Sequence, residues 1–293
     1  MFNSENPKLA RNTLPIKNSE IISFVKKTDT NNFLFNALQN LELRDQFLNE
    51  YFSWVKTSKL NALKGLDQFK NLSYVHGTSQ SFDAFYAENK NRKFRCFKGD
   101  FFYHALSWRN NYEFSYLDDE KLDKNDAVVI SIPFSDNGYI HPDTPQVIET
   151  CNKLEVPVLI DLAYYNLARG INFNLDEPCI STITFSLSKG FYLVDRLRIG
   201  MRCKREFNDD PVDVFNSFDM FNKAGAALGL EILKNFSPDY NQNKYYEKQK
   251  EICSNFNFEI SNCVVFGLGD KNYSKFNRGA QWNRVCISNF LIE

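Results

Sequence analysis

The sequence lacks the long apolar runs and the excess of one charge that mark several classes of protein. Its longest apolar runs, residues 127–134 and 156–160, are strand-sized and far shorter than the roughly 20 residues that span a bilayer. Lys and Arg together number 35 against 36 Asp and Glu, which disfavours a nucleic-acid binder that depends on overall positive charge. We therefore expect neither a membrane nor a nucleic acid as partner.

Metal-binding and disulfide patterns are also missing. The seven cysteines are odd in number, widely spaced and without a Cys-x-x-Cys pair, and the three histidines lie far apart. This usage is typical of reduced thiols in the cytoplasm, and no metal is expected. Residues 1–11 are polar, with no apolar core after their positive charges, so they do not predict a signal peptide and the expected location is cytoplasmic.

What is present is enough apolar sequence for a large core. The chain has 293 residues, of which 43% are hydrophobic and 15% aromatic, which excludes a disordered segment. Helical spacing is visible in residues 19–52, 211–235 and 240–256. Between them, short apolar runs alternate with helix-like stretches; the runs are residues 72–76, 93–97, 112–116, 127–134, 156–161, 180–185 and 197–203. This alternation predicts an α/β fold, with a mostly parallel sheet covered by helices on both faces.

Polar residues follow several of these strands, at the sheet edge where ligands bind in α/β folds. His76-Gly77-Thr78-Ser79 lies at a predicted helix start, where free N–H groups can bind an anion, although helix capping by Thr78 or Ser79 explains the run equally well. Asp161 follows a buried strand and can either bind a cation or protonated ring or cap a turn.

Two basic residues complete the set. Lys189 lies in the run Ser186-Leu187-Ser188-Lys189, where it is either a solvated lysine or an amine whose pKa is lowered so that it attacks carbonyls. Arg198 can clamp a phosphate with two hydrogen bonds. Arg196 is the alternative if the motif is displaced by two residues.

Together these runs resemble the signature of class I/II pyridoxal-phosphate-dependent aminotransferases of fold type I. The resemblance is carried by Asp161-Leu162-Ala163-Tyr164, Ser186-Leu187-Ser188-Lys189 and Arg198-Ile199-Gly200, with Asp161 and Lys189 28 positions apart. It extends from about residue 76 to residue 200, with a fainter similarity at the C-terminus.

The resemblance implies a role for each matching residue. Lys189 would hold the aldehyde of pyridoxal 5'-phosphate as a Schiff base and move the substrate α-proton. Asp161 would pair with the pyridine nitrogen, and Tyr164 would donate to the phenolic oxygen. The residues expected around the phosphate are Gly77, Thr78, Ser79, Ser186, Ser188 and Arg198.

The remaining matches are less specific. Within residues 101–104, Tyr103 is expected to stack on the cofactor ring, with Phe102 as the rival and core packing as the alternative for the whole run. Arg284 matches the arginine that binds the substrate α-carboxylate, the alternative being a surface arginine on an edge strand. Where the family has an asparagine, this chain has Ser135, with Asn137 two places on as a possible substitute.

The resemblance also implies a domain division and an activity. Residues 1–70 would belong to a small domain, residues 71–235 would form the large cofactor-binding domain, and residues 236–293 would form an abbreviated C-terminal small domain. The expected activity is amino transfer between an amino acid or amine and a keto acid, by a homodimer. Another reaction of the same cofactor (decarboxylation, lysis or condensation) and a non-catalytic homologue remain as alternatives.

Overall fold

The apolar runs of the sequence form neighbouring strands of one sheet. The structure is a computed structural model that describes residues 3–27, 30–105, 111–191 and 197–292. In these ranges the strands are β1 Ala62–Lys64, β2 Asn71–Val75, β3 Lys93–Cys96, β4 Phe114–Tyr116, β5 Asp126–Ser131, β6 Val158–Leu162, β7 Asn172–Asn174, β8 Ile180–Ser186, β9 Gly200–Lys204, β10 Glu259–Ile260, β11 Phe266–Gly269 and β12 Asn283–Cys286.

The helices occupy the two ends of the chain and the connections between strands. They are α1 Ser19–Lys27, α2 Thr30–Gln39, α3 Leu43–Lys56, α4 Thr78–Glu88, α5 Phe102–Ala105, α6 Thr144–Leu154, α7 Pro211–Ser217, α8 Lys223–Asn235 and α9 Tyr240–Phe256. Short 3₁₀ helices lie at Leu66–Gln68, Tyr165–Leu167, Lys271–Phe276 and Ser288–Phe290. None of the described helices is long and apolar enough to cross a membrane.

The central sheet has seven strands in the order β2-β9-β8-β6-β5-β3-β4. The pairs β3–β4, β3–β5, β5–β6 and β6–β8 are parallel, whereas β9 runs antiparallel to both β8 and β2. The predicted α/β fold with a mostly parallel sheet is confirmed. Strands β5 and β6 are buried along their whole length, as their continuous apolar sequences predict for strands covered on both faces.

Three segments differ in detail from the sequence-based expectation. The helical stretch 211–235 is two helices, because Asn222 starts a new one by accepting a hydrogen bond from the Gly225 N–H at 2.8 Å. The sequence also predicts a strand over residues 284–290, which in the structure ends at Cys286 and is followed by a 3₁₀ helix. It further predicts a helix over residues 101–108; the structure describes α5 there, and residues 106–108 lie outside the described ranges.

The largest buried apolar cluster joins the sheet to the N-terminal helices. Phe47, Tyr51 and Trp54 of α3 pack in the same cluster as Ile130 of β5 and Ile183 of β8. The chain therefore folds much of its first sixty residues onto the sheet that positions the strand ends.

A second apolar cluster lies around a three-stranded antiparallel sheet in the order β10-β11-β12. It combines C-terminal residues such as Phe266 and Val285 with Leu9 and Ile16 from the start of the chain. The division at residues 70 and 235 stays a prediction, although α3 shares its apolar cluster with the central sheet and Leu9 shares its cluster with the C-terminal strands.

Candidate active site

The carboxyl ends of the central strands surround a small cavity of about 90 Å³. Register brings the polar residues there, because Asp161 on β6 pairs with Ser131 on β5 and with Thr184 on β8. The residues that line the cavity are Thr78, Ser79, Phe101, Ser135, Asp161, Ala163, Tyr164, Ser186, Ser188, Lys189 and Arg198. Nine residues of the sequence-based prediction therefore meet at one place.

Asp161 is the buried acid of this cavity. It is 5% exposed, and its Oδ1 accepts a hydrogen bond from the Ala163 N–H at 3.0 Å. Burial raises the pKa of Asp161 to about 8, the charge of Asp100 adds to the increase, and hydrogen bonds from Thr78 and Ser131 oppose it. A cation or a protonated ring nitrogen next to Asp161 would relieve this cost, because an opposite charge favours the ionised carboxylate.

Lys189 also lines the cavity, half-buried in the loop after β8. Its Nζ donates to the backbone oxygen of Thr13 at 3.2 Å. The side chain of Thr13 also shares a hydrogen bond of 2.9 Å with the Tyr164 hydroxyl, and burial raises the pKa of Tyr164. Thr13 therefore orders both the amine and the phenol at the cavity wall.

The N-terminus of α4 and Arg198 form a cradle suited to an anion. Gly77 precedes α4 with φ +71° and ψ 174°, a conformation that glycine adopts without strain. The Arg198 Nη2 donates to the Ser79 Oγ at 3.0 Å, and this guanidinium is exposed. Free N–H groups at a helix start and a guanidinium are the donors that bind phosphate in proteins.

Two serines of β8 and its loop extend the cradle. Ser186 Oγ accepts from the Ser188 N–H at 3.0 Å and donates to the Ile199 backbone oxygen at 3.3 Å. Ser188 is 2% exposed, and its Oγ has no hydrogen-bond partner among the described residues. A buried hydroxyl left without a partner costs free energy, so this atom fits a ligand oxygen.

Four predicted residues are not among those that line the cavity: Gly77 of the cradle, Arg284, Tyr103 and Asn137. The hydroxyl of Tyr103 donates to Asp83 at 2.6 Å, and its ring packs against Phe82. Asn137 accepts from the Tyr139 N–H at 2.9 Å and is also buried away from the lining. Neither Tyr103 as the stacking ring nor Asn137 as the substitute amide agrees with these positions, because local contacts hold both side chains elsewhere.

A wider cleft of about 450 Å³ adjoins the cavity and shares Phe101, Tyr164 and Lys189 with it. Arg284 lines this cleft but is only 2% exposed, so it is not a surface arginine. Its guanidinium donates to the backbone oxygens of Ser135 at 2.7 Å and Arg11 at 2.8 Å. Arg284 is thus held in the wall of the cleft that adjoins the cavity.

Sequence reasoning missed several residues of the site. Phe101 lines both spaces, and the ambiguous register of its aromatic run gave the only signal for it. Asp100 accepts hydrogen bonds from the Ser131 N–H at 3.2 Å and from the Ser131 hydroxyl. Arg278, another residue that lines the cleft, has no motif around it. Arg196 lies outside the described residues.

The residues of the cavity fit pyridoxal phosphate. The acid at Asp161, the amine at Lys189, the cradle at Gly77 and Arg198, and the unpartnered Ser188 hydroxyl correspond to the cofactor's ring nitrogen, aldehyde and phosphate. The described residues contain no group of three or more His, Cys, Asp or Glu side chains that could hold a metal ion.

Comparison with known proteins finds likeness in structure but not in sequence. No family model matches the chain, and no curated protein matches it. An aminotransferase from Staphylococcus aureus has a TM-score of 0.64 at 10% identity, covering 95% of this chain and 91% of that one. The histidinol-phosphate aminotransferase from Clostridium acetobutylicum has a TM-score of 0.61 at 15% identity, with 96% of each chain covered.

A third structure in the comparison catalyses a different reaction. It is the pyridoxal-phosphate-bound C-S lyase from Staphylococcus hominis, with a TM-score of 0.63 at 11% identity, covering 84% of this chain and 77% of that chain. The chain therefore has the fold that these aminotransferases and this lyase share.

Proposed function

We propose that this protein is a pyridoxal-phosphate-dependent aminotransferase that moves an amino group between an amino acid or amine and a keto acid. The observation that carries the proposal is the cavity itself, in which Asp161, Lys189 and Arg198 converge from three separate strand ends. A protein that kept this fold only for binding or assembly has no need to bring a lysine and a buried acid together. The structural likeness to aminotransferases supports the same assignment.

The cofactor, when bound, supplies a ring that accepts the electrons released at the substrate α-carbon. Asp161 holds the ring nitrogen in its protonated form, because a buried carboxylate is stabilised by an adjacent cation. Lys189 would supply the amine that holds the cofactor aldehyde and would carry the proton at its Nζ. The Tyr164 hydroxyl, oriented by its hydrogen bond of 2.9 Å with Thr13, would donate to the phenolic oxygen.

The phosphate would be held by the Arg198 guanidinium, the Ser79 and Ser188 hydroxyls and the N–H groups at the start of α4. The guanidinium is exposed, and the Ser188 hydroxyl has no hydrogen-bond partner among the described residues. Arg284 orients the substrate carboxylate in the adjoining cleft. By resemblance to the family we also propose a homodimer, which light scattering of the purified protein tests.

A lyase reaction is the second candidate, and one residue favours it. At the position where aminotransferases have an asparagine, Ser135 lines the cavity with a shorter hydroxyl side chain. The loss of an amide near the phenolic oxygen alters the electrostatics of the reacting centre, and the structural neighbours include a C-S lyase. Product analysis separates the two: a keto acid paired with a new amino acid indicates transfer, whereas pyruvate with ammonia or sulfide indicates lysis.

The test of the proposed function is covalent labelling. Protein purified with pyridoxal phosphate should be yellow, and borohydride reduction should fix the cofactor on the peptide that contains Lys189. Lys189→Ala should keep the fold and lose the label, whereas Lys153→Ala, at an exposed helix position, should lose neither. A label on any other lysine contradicts the assignment of Lys189, and an absence of binding contradicts the proposed cofactor.

A further inference from the structure

A second buried acid lies near Asp161. Asp100, on the loop after β3, is 6% exposed, and its charge acts on Asp161. Three donors reach its carboxylate: Oδ1 accepts from the Ser131 hydroxyl and from the Phe101 N–H at 2.6 Å, and Oδ2 accepts from the Ser131 N–H at 3.2 Å. Because an ionised carboxylate has acceptor sites only, these contacts suit Asp100 in its charged form.

Ser131 connects the two acids. It pairs with Asp161 across β5 and β6, and residues opposite each other in adjacent strands present their side chains on the same face of the sheet. Its hydroxyl, which donates to Asp100, also lies within hydrogen-bond reach of Asp161. A serine hydroxyl has one proton, so it donates to only one of the two acids at a time. While it donates to Asp100, Asp161 can bond to it only by donating a proton of its own.

The charge of Asp100 also acts on titratable groups of the neighbouring elements. These groups are Tyr86, Cys96, His104, Asp136, His141 and Arg278. Burial lowers the pKa of both histidines, that of His104 to about 4, and raises the pKa of the tyrosine and of the thiol. These four groups are therefore neutral at pH 7, and the arginine and the aspartate carry the charge that faces Asp100.

These surroundings favour the negative charge on Asp100 over one on Asp161. The Arg278 Nη2 donates to the backbone oxygen of Asp100 at 3.0 Å, so a cation faces this acid. Asp136, whose pKa burial raises to about 6, is opposed to Arg278 and Arg284. Burial is the largest influence on Asp161 and opposes its ionisation. The titratable groups that share the cavity with Asp161 are Tyr164, Lys189 and Arg198.

We propose that Asp100 is a positioning residue for Asp161. Through the Ser131 hydroxyl it keeps a proton on Asp161 in the protein without cofactor, and Asp161 passes that proton to the ring nitrogen of the cofactor that binds. The proposal rests on the proposed function for the identity of the cofactor, and it adds the source of the ring proton.

The proton transfer balances without a further reactant. The O–H bond of Asp161 breaks, an N–H bond forms on the lone pair of the ring nitrogen, and Asp161 becomes a carboxylate. The total charge of the acid and the ring does not change, and the solvent supplies no proton. Ser131 then turns its own proton from Asp100 to the new carboxylate, which an ionised acceptor favours.

The first test measures the protonation of Asp161 in the protein without cofactor. Infrared difference spectra against the same protein carrying Asp161→Asn contain the C=O band of the protonated carboxyl group. In the wild type this band should disappear with a midpoint near pH 8. Asp100→Asn should lower the midpoint by about one pH unit or more, because it removes the like charge and its amide lets Ser131 donate to Asp161.

Two further variants assign this effect. In a Ser131→Ala background Asp100→Asn should lower the midpoint by less, because no hydroxyl is left to turn towards Asp161. Asp136→Asn is the matched control and should leave the midpoint unchanged. Asp136 is also buried beside Arg278, but it accepts from the Trp282 N–H at 3.1 Å, and its other oxygen has no hydrogen-bond partner among the described residues.

An unchanged midpoint in Asp100→Asn, or an equal shift with and without the Ser131 hydroxyl, overturns the proposal. The melting temperature of each variant checks that it folds. Asp100→Ser, which also removes the charge, takes the place of Asp100→Asn if the latter does not fold.

The second test counts the protons taken up when pyridoxine 5'-phosphate binds, a cofactor analogue without an aldehyde. Isothermal titration calorimetry at pH 7 in two buffers of different ionisation enthalpy gives this number. Protons on the free analogue contribute equally for every protein, so the difference between proteins reports the proton that Asp161 already holds. Asp100→Asn should take up about half a proton more than the wild type, and Asp136→Asn the same number as the wild type.

The outcomes separate this proposal from the proposed function. Equal proton uptake by the wild type and Asp100→Asn overturns the delivery of the proton by Asp161, while cofactor binding stands. Failure to bind both pyridoxal phosphate and its analogue overturns the proposed function, and the infrared midpoints then still decide whether Asp100 keeps Asp161 protonated.

Discussion

The Arg198 guanidinium occupies the space that a side chain on residue 77 would fill, and residue 77 is a glycine. A Cβ on Gly77 would lie 2.5 Å from the Arg198 Nη2 and 2.9 Å from its Cζ. The two residues come from opposite ends of the cavity-forming segment, and the missing Cβ leaves the space in which the guanidinium reaches Ser79. The helix start and the arginine of the anion cradle are therefore in direct contact, and a change at residue 77 should also move Arg198.

Gly77→Ala should weaken cofactor binding through this contact. The positive φ of residue 77 costs an alanine about 1–3 kcal/mol, and the new methyl group displaces the guanidinium. We expect a lower melting temperature and a clear rise in the dissociation constant for pyridoxal phosphate, measured by titration of its absorbance.

Gly170→Ala separates strain from displacement. Gly170 also has a positive φ, +70°, but its nearest neighbour is the side chain of Asn262. This variant should lower the melting temperature and leave the cofactor dissociation constant unchanged. If both variants bind the cofactor as the wild type does, the cradle is not the phosphate site.

Without cofactor, Asp161→Asn should be more stable than the wild type, by an amount that grows as the pH rises. An ordinary aspartate has a pKa of 3.8, and burial raises the pKa of Asp161 to about 8. Between these values the unfolded chain has lost a proton that the native state keeps, so wild-type stability falls as the pH rises. The asparagine variant avoids this loss, and its advantage in melting temperature should grow from pH 4 to pH 8 and then level off.

The same substitution should remove most of the turnover, because a neutral amide does not keep the ring nitrogen protonated. Asp67→Asn, at a side chain that is 77% exposed, serves as the control and should show neither effect. If the difference in melting temperature between Asp161→Asn and the wild type stays constant from pH 4 to pH 8, burial does not keep this carboxyl group protonated.

Phe101 and Tyr103 are alternatives for the aromatic residue beside the cofactor. Phe101 is 39% exposed and lines both the cavity and the cleft, whereas Tyr103 is bonded to Asp83. Phe101→Ala should raise the cofactor dissociation constant by about 2- to 10-fold, the value of one aromatic contact. Tyr103→Ala should have the smaller effect on the same titration, and the reverse order would restore Tyr103 as the stacking residue.

The central sheet can be predicted from the sequence because most of its strands are short, nearly continuous apolar runs. Residues 128–130 and 158–160 are buried on both faces as expected, and the strand-end motifs then follow from the meeting of parallel strands at one edge. The antiparallel direction of β9 could not be predicted from the sequence, because an apolar run does not indicate which way its strand runs in the sheet. The short strands β1 and β7 pair across more than a hundred residues and have no local signal.

Parts of the site depend on packing that one-dimensional patterns do not encode. A one-residue change of register decides whether Phe101, Phe102 or Tyr103 reaches the cavity, and α5 sets that register. Arg278 lies in a loop without a motif, and only the shared carbonyl of Ser135 reveals that it stands beside Arg284. Motifs thus predicted which strand-end residues line the cavity, whereas the place of Arg278 in the neighbouring cleft required the structure.

The last prediction concerns Arg198 as a ligand-dependent contact. Among the described residues its exposed guanidinium makes one hydrogen bond, to Ser79, so Arg198→Ala should barely change the melting temperature of the protein without cofactor. Cofactor at a thousand times its dissociation constant stabilises the native state by about 4 kcal/mol, which for a chain of this size is a rise on the order of 10 °C. Arg198→Ala should reduce that rise sharply in thermal-shift measurements. Arg169→Ala should leave it intact, because this half-buried arginine stacks on Tyr246 and does not line the cavity. A full rise in Arg198→Ala would remove this arginine from the phosphate site, and no rise in the wild type would favour the non-catalytic alternative.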